Sequence, residues 1–260
     1  MTAEDDDQLE RVRSFFGAHA EHYAASRSHR SGSDLALLLE ALRLAPGDRA
    51  LDVATASGNV AFAMAPRVAE VVGLDATPEM GELFRRRLQE EAAANVRFAL
   101  GDAHALPFPD GSFTVVASRR AAHHFRDLPR ALREMRRVLC PGGRLGIADM
   151  TVPDEPEAAE LMNQLEILRD GSHVGARSAE EWRRLLEEAG LEVTFLETLE
   201  ERLPVADWFA PSRALDDPER FARTLAAALR PEVAGALFAR EDGRLLWRKR
   251  RLVAVGRVPG

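Results

Sequence analysis

From Arg49 to Met150 the chain repeats one pattern: a short apolar run, a turn, and a longer stretch with helical spacing. The runs are Arg49–Thr55, Glu70–Ala76, Val96–Ala103, Phe113–Ser118 and Arg144–Met150. Val60–Val68, Glu79–Ala93 and Leu128–Leu139 read as helices between them. Short apolar runs bounded by Gly, Pro and Asp suit strands buried on both faces. A parallel strand pair requires a crossover connection, so this alternation implies βαβ units. The expected fold is α/β, a Rossmann-like, doubly wound, mostly parallel sheet.

Outside that stretch the pattern changes. Leu9–Arg30, with Phe15, Phe16 and Tyr23, reads as helical, and Asp34 is placed to cap a helix through Leu35, Leu38, Leu39 and Leu42. Pro46-Gly47-Asp48 turns the chain into the repeating part. After Met150 come a helix over Asp154–Arg169 and a polar loop over Gly171–Arg177. A further helix is capped by Ser178 with Glu181 three residues on, a capping-box spacing, and closed by Gly190. Glu192–Leu203 and Leu245–Val258 read as strands around a helical insert, Pro218–Phe238. No repeat or linker divides the chain. One domain is expected over 1–260: a helical cap (1–45), a core (46–150) and substrate-side helices and strands (151–260).

Thirty-five Lys plus Arg against forty-two Asp plus Glu give a formal charge of −7. An acidic chain without a basic tract is a poor sequence-independent nucleic-acid binder, which needs many phosphate contacts. The tract Arg248-Lys249-Arg250-Arg251 splits between two faces of a strand and reads as solvated. Lys249 is the only lysine, which excludes a catalytic lysine elsewhere. The single cysteine, Cys140, excludes an intramolecular disulfide or a cysteine zinc cage. The acidic N-terminus lacks the basic head and apolar run of a signal peptide, and no stretch reaches the ~20 apolar residues of a membrane helix. A cytoplasmic location is expected. The expected partner is a small-molecule substrate, with no nucleic acid and no membrane span; a homodimer is allowed.

In open α/β sheets ligands bind outside the carboxyl ends of the strands. The first strand ends in Asp52-Val-Ala-Thr-Ala-Ser-Gly58, the second in Asp75, the third in Asp102-Ala103, and the fourth runs into Arg119-Arg120-Ala-Ala-His123-His124. Asp75 stands 17 residues past Gly58, close to the spacing at which an acid accepts hydrogen bonds from a ribose diol; it also suits a plain turn. Asp102 adds an acceptor suited to an exocyclic amino group of adenine, which nicotinamide sites do not need.

With ALDVATASGN (50–59), VVGLDATPEM (71–80), GDAHALPFPDGSF (101–113), RVLCPGG (137–143) and EEWRRLLEEAGLEV (180–193) in this order, the sequence resembles the class I S-adenosylmethionine-dependent methyltransferases. Within them it is similar to the small-molecule branch of ubiquinone and menaquinone C-methyltransferases. The resemblance implies a seven-stranded sheet with the last strand, Leu245–Val258, antiparallel, and a helical lid formed before Pro46 and between Ser178 and Phe238. It implies S-adenosylmethionine as cofactor and S-adenosylhomocysteine as product. By the same resemblance, the Asp52–Gly58 loop, including Ala54 and Thr55, would wrap the methionine part. Asp75 would bind the ribose hydroxyls, with Ala76 next to it, and Thr77 and Met80 would flank the adenine or ribose. Asp102 and Ala103 would meet the adenine edge, Arg119 would lie beside the methionyl end, and Tyr23 would close over the cofactor.

The first loop departs from the family's glycine pattern, since Ala54 and Ala56 replace two of the three glycines. Alanine permits close approach while φ stays negative, so binding is expected to survive with a tighter pocket. Thr114 and Cys140, at two further departures, read as structural.

Methyl transfer from a sulfonium is an in-line displacement in which the protein mainly aligns the partners. A carbon or oxygen acceptor also draws on a general base, for which histidine is suited. His124 and His173 are the candidates. The His123–His124 pair reads more readily as structural, one ring packing under the cofactor. His173, in a Gly-Ser-His loop, either lines the acceptor pocket or faces solvent. Phe15, Phe16, Trp182, Trp208 and Phe209 suit a pocket roof and a core equally. No metal is expected, because the acids sit on separate strand ends. Two other classes remain open: a cyclase or isomerase that binds the cofactor without methyl transfer, and a nicotinamide oxidoreductase.

Overall fold

The computed structural model describes Glu10, Arg13 and residues 32–209 and 218–260. Its strands are β1 (Arg49–Val53), β2 (Glu70–Asp75), β3 (Val96–Leu100), β4 (Phe113–Arg119), β5 (Leu139–Met150), β6 (Glu192–Pro204), β7 (Phe238–Glu241) and β8 (Arg244–Arg257). The sheet order is β3-β2-β1-β4-β5-β8-β6, with β7 paired to β8. β1 to β5 are parallel, and β8 lies antiparallel between β5 and β6. The seven-stranded Rossmann-like sheet with its antiparallel last strand is therefore present. The order reverses between β1 and β4, the switch point where such sheets open a ligand crevice.

β7 is an addition to the expected seven. Its hairpin to β8 turns on Asp242-Gly243, both at positive φ (48° and 75°), as a two-residue loop with matching right-handed twist requires.

Nine α-helices are described: α1 (Ser33–Ala41), α2 (Asn59–Met64), α3 (Pro78–Glu91), α4 (Leu128–Arg137), α5 (Pro156–Arg169), α6 (Ala179–Glu188), α7 (Val205–Phe209), α8 (Pro218–Ala228) and α9 (Pro231–Leu237). Leu132, Met135 and Trp182 pack with Leu51 and Ile147 on one side of the sheet. Leu38, Leu42, Val60 and Phe84 pack with Val71 and Val115 on the other. Two helices expected over the site, α1 and α6, thus belong to the layers flanking the sheet. α6 begins with the expected capping box between Ser178 and Glu181.

A third apolar cluster joins α5, α8 and α9 to the β7–β8 hairpin around Trp208 and Trp247, stacked at 3.8 Å. Trp182 and Trp208 are core residues, 1% and 3% exposed. Fully burying such a side chain contributes about 2 kcal/mol or more. Phe15, Phe16 and the side chain of Phe209 lie outside the described residues. Among the described residues no helix is long and apolar enough to cross a membrane.

Asp34 does not cap α1, whose N-cap position is Gly32. Its carboxylate, fully buried in the first turn, accepts bonds at 2.8–2.9 Å from Nε and Nη2 of both Arg119 and Arg120. These charged partners outcompete the local backbone amides and tie α1 to the carboxyl end of β4. They also hold Asp34 well below the usual carboxylate range, although burial alone would raise it.

Candidate active site

A cavity of about 260 Å³ opens at the carboxyl ends of the strands. It gathers Asp52, Asp75 and Asp102, which β1, β2 and β3 deliver from well-separated parts of the sequence. Ala54, Thr55, Ala76, Thr77, Met80, Ala103 and Arg119 also line it.

The loop after β1 is built around two carboxylates. Asp52 Oδ2 accepts bonds from Thr55 Oγ1 at 2.6 Å and from the Ala61 amide at 3.0 Å. Burial pushes Asp52 up to about 7 against those bonds, and the nearby Asp75 charge adds to the rise. Asp75 accepts the Ala56 amide at 2.8 Å on one oxygen and the Thr77 amide at 2.9 Å on the other. Burial raises it too. The Thr77 hydroxyl and the Ala76 amide also approach this carboxylate, so a bound diol would share its oxygens with these donors.

The expectation of negative φ at the two alanines is overturned. Ala54 has φ 57° and Ala56 has φ 48°. A left-handed backbone costs a residue with a Cβ about 1–2 kcal/mol. The Asp75 bond to the Ala56 amide helps offset that cost. Gly58, at φ 88°, does not line the cavity; it turns the chain into α2, and a Cβ there would stand 2.6 Å from the Phe62 ring.

Two expected cofactor contacts carry protein partners. Asp102 Oδ1 meets His104 Nδ1 at 2.6 Å and its amide at 3.0 Å, while Oδ2 accepts from Arg126 at 3.0 Å. These partners outweigh burial and hold Asp102 below the usual range. Arg119 lines the cavity and is ion-paired with Asp34, which it shares with Arg120.

The histidines sort differently from expectation. His173 is buried and does not line the cavity; its Nε2 is 3.0 Å from Asn163 Oδ1. Burial, with His123 and His124 nearby, lowers it to about 2. It stands behind His123, ring centroids 5.4 Å apart, because the amides of Val174 and Gly175 bond the His123 carbonyl and draw the loop inward. His124 lines the cavity, and its Nδ1 lies 3.1 Å from the Ser172 carbonyl. Burial lowers it to about 4, with His123 contributing.

His123 has a different environment. Its Nδ1 is 2.5 Å from Asp149 Oδ1, and its amide donates to Asp149 Oδ2 at 3.0 Å. Burial would lower His123, but Asp149 by charge and hydrogen bond leaves it raised; Asp149 is correspondingly lowered. Both residues line the cavity. Asp149 stands next to last in the fifth apolar run, and extending the strand-end reading one strand further would have found it. Tyr23 lies outside the described residues. From that segment Arg13 is described, and its Nε donates to the Ala76 carbonyl at 3.0 Å beside the cavity.

The pattern of the family described as "Methyltransferase domain" matches residues 51–147, from β1 into β5, a span that holds Asp52, Asp75, Asp102, Arg119, His123 and His124. The chain is 41% identical over 170 residues to the uncharacterized methyltransferase YcgJ of Bacillus subtilis, covering 65% of this chain and 67% of the relative. It belongs to the S-adenosylmethionine-dependent methyltransferases. The YcgJ crystal structure superposes with a TM-score of 0.79 at 29% identity, over 88% of this chain and all of that one. The demethylmenaquinone methyltransferase of Deinococcus radiodurans is 36% identical over 168 residues, covering 59% of this methyltransferase and 68% of the relative. A phosphoethanolamine N-methyltransferase of Haemonchus contortus, solved with S-adenosylhomocysteine, shares the fold at a TM-score of 0.67 and 17% identity, over all of this chain and 61% of that one.

Proposed function

We propose that this methyltransferase moves the methyl group of S-adenosylmethionine to a small-molecule acceptor, aromatic or quinone-like, or a secondary metabolite. The observation that carries the reading is the gathering of three strand-end carboxylates in one cavity beside a histidine–carboxylate pair. Similarity to a demethylmenaquinone methyltransferase supports the acceptor class.

The cofactor supplies an electrophilic methyl group and leaves as S-adenosylhomocysteine. Asp75 would accept the ribose hydroxyls in place of, or alongside, its present donors, with Ala76, Thr77 and Met80 beside it. The Asp52–Gly58 loop, held by Asp52 and Asp75, is suited to the methionine part, and Arg119 to its carboxylate end. Asp102 and Ala103 suit the adenine edge, Asp102 sharing its oxygens with His104 and Arg126. His123, oriented through Nδ1 by Asp149, is the group placed to hold or receive an acceptor proton at Nε2, where no described residue bonds it. His124 packs against it, ring centroids 4.0 Å apart, and His173 supports it from behind.

Calorimetry with S-adenosylhomocysteine and, separately, NAD tests the reading. Binding of the thioether alone is expected. Asp75→Ala should weaken it by about 1–3 kcal/mol, the value of hydrogen bonds to a charged group. Unchanged affinity would refute the ribose assignment, and NAD binding in preference would favour the oxidoreductase class. Consumption of S-adenosylmethionine with an acceptor separates transfer from cyclase or isomerase chemistry.

A further inference from the structure

The cavity is electrically polarised along the sheet. Asp52, Asp75 and Asp102 stand at the ends of β1, β2 and β3, while at the other end β4 carries Arg119, with Arg120 just past it, and β8 carries Arg251 and Lys249, beside Asp149 of β5 and Asp170. From β1 to β8 is three strand spacings, roughly 14 Å.

The placement of Lys249 and Arg251 corrects the solvated reading of the basic tract. Residues two apart share a face of a strand, and this face of β8 carries Trp247 below and Val253 above, both buried. Arg251 pairs in register with Met150, the last residue of β5, so Lys249 lies on the part of β8 that runs past the end of β5. There it meets the mouth of the cavity. Arg248 and Arg250 take the other face, where both pair with Glu200.

The cations at this end differ in their carboxylate partners among the described residues. Arg119 and Arg120 share the one carboxylate of Asp34. Arg251, 8% exposed, has Glu201 at 3.2 Å, and that carboxylate is 60% exposed and screened by water. Arg169 bonds the buried Glu166. No described carboxylate bonds the Lys249 ammonium, which is half-buried. The nearby acids have other partners: Asp149 has His123, and Asp170 accepts from Ser172. Burial lowers Lys249 to about 8, with Arg251, Arg120 and Arg169 adding to the effect and Glu201 opposing it. A cation held among cations in a recess favours an anion as its neighbour, and such a recess also concentrates anions from solution.

We propose that Lys249 and Arg251, with Arg120 beside them, form a subsite for an anionic group of the methyl acceptor, a carboxylate or a phosphate. This deepens the functional reading above and rests on it: the acceptor approaches the cofactor with its negative end toward β8. The apolar wall provided by Ala121, Phe125 and Met150 suits the remainder of such a molecule.

The test uses the full chain saturated with S-adenosylhomocysteine and titrated calorimetrically with benzoate, phenyl phosphate and neutral benzamide at constant ionic strength. At least one anion is expected to bind about tenfold tighter than benzamide, as charge-assisted hydrogen bonds imply. The two anions distinguish carboxylate from phosphate. Lys249→Met and Arg251→Met should each reduce the preference several-fold, Lys249→Arg should retain it, and all three should bind S-adenosylhomocysteine like the parent. Lys249→Met keeps most of the apolar stem, and its melting temperature reports folding. Failure of the parent to bind S-adenosylhomocysteine would count against the functional reading itself. A parent that binds it without preferring anions overturns the subsite alone. So does a preference untouched by Lys249→Met and Arg251→Met, or a fall in cofactor affinity in those variants, which would assign the cluster to the cofactor's own carboxylate.

Discussion

Asp34→Asn isolates the ionic clamp that holds α1 against the active-site end of β4. Asp34 is fully buried, and the side chains of Arg119 and Arg120 are 3% and 11% exposed. The substitution preserves shape but removes the negative charge and turns one acceptor into an NH2 group facing guanidinium donors. Removing one partner of a buried ion pair costs about 3–5 kcal/mol, chiefly because the other charge is left uncompensated. Two guanidiniums lose this carboxylate here and one acceptor oxygen survives, so a loss of about 3 kcal/mol or more is expected. Equilibrium urea unfolding of parent and variant measures it. The pH dependence supplies a second check. The folded carboxyl titrates below its unfolded value near 3.9, so its stabilisation is fully present above that value and is lost only as pH falls through the folded one. The parent–variant difference should therefore be the same at pH 7 and about pH 4.5. A difference below about 1 kcal/mol, the level of an exposed ion pair, would refute the clamp. So would a difference that vanishes by about pH 4.5.

Other expectations follow from the site. The His123 ring should titrate above its ordinary value near 6.5 in an NMR experiment, and Asp149→Asn should bring it below that value, because burial then outweighs the remaining pull of Asp170 and Glu166; an unmoved titration would sink the pairing. Since His123 is raised on folding, its stabilising contribution is present below about pH 6.5 and drains away as pH climbs through the folded value, a trend Asp149→Asn should abolish in unfolding experiments. Ala54→Gly and Ala56→Gly should each raise stability by about 0.5–1 kcal/mol, the left-handed penalty relieved less the extra freedom of glycine in the unfolded chain. Destabilisation by both in thermal melts would contradict the strain argument.

The residues differ in how openly the sequence displayed them. Asp52, Asp75 and Asp102 were legible because each ends an apolar run, and a parallel sheet brings strand ends together without further information. Asp149 obeys the same rule at the fifth strand. His173 was not legible: a Gly-Ser-His loop looks accessible until long-range bonds to the His123 carbonyl turn it inward. The alanines misled for another reason. Residue identity states a preference for φ, whereas the Asp75 bond to the Ala56 amide and the packing around Gly58 impose one.

The order of apolar runs and turns by itself determined an α/β sheet, its parallel strands and the edge where a ligand binds, while the antiparallel last strand was implied by the family resemblance. The sheet, its parallel strands and its ligand edge follow from local periodicity and the handed geometry of strand–helix–strand crossovers, which act over tens of residues. Only the tertiary structure decided which charges meet. Asp34 reaches arginines 85 and 86 positions away, and β8, last in sequence, enters between β5 and β6 to deliver Lys249 and Arg251 to a cavity begun near residue 52. Electrostatic partners are chosen by proximity in a low-dielectric interior, and that proximity exists only after distant strands have paired.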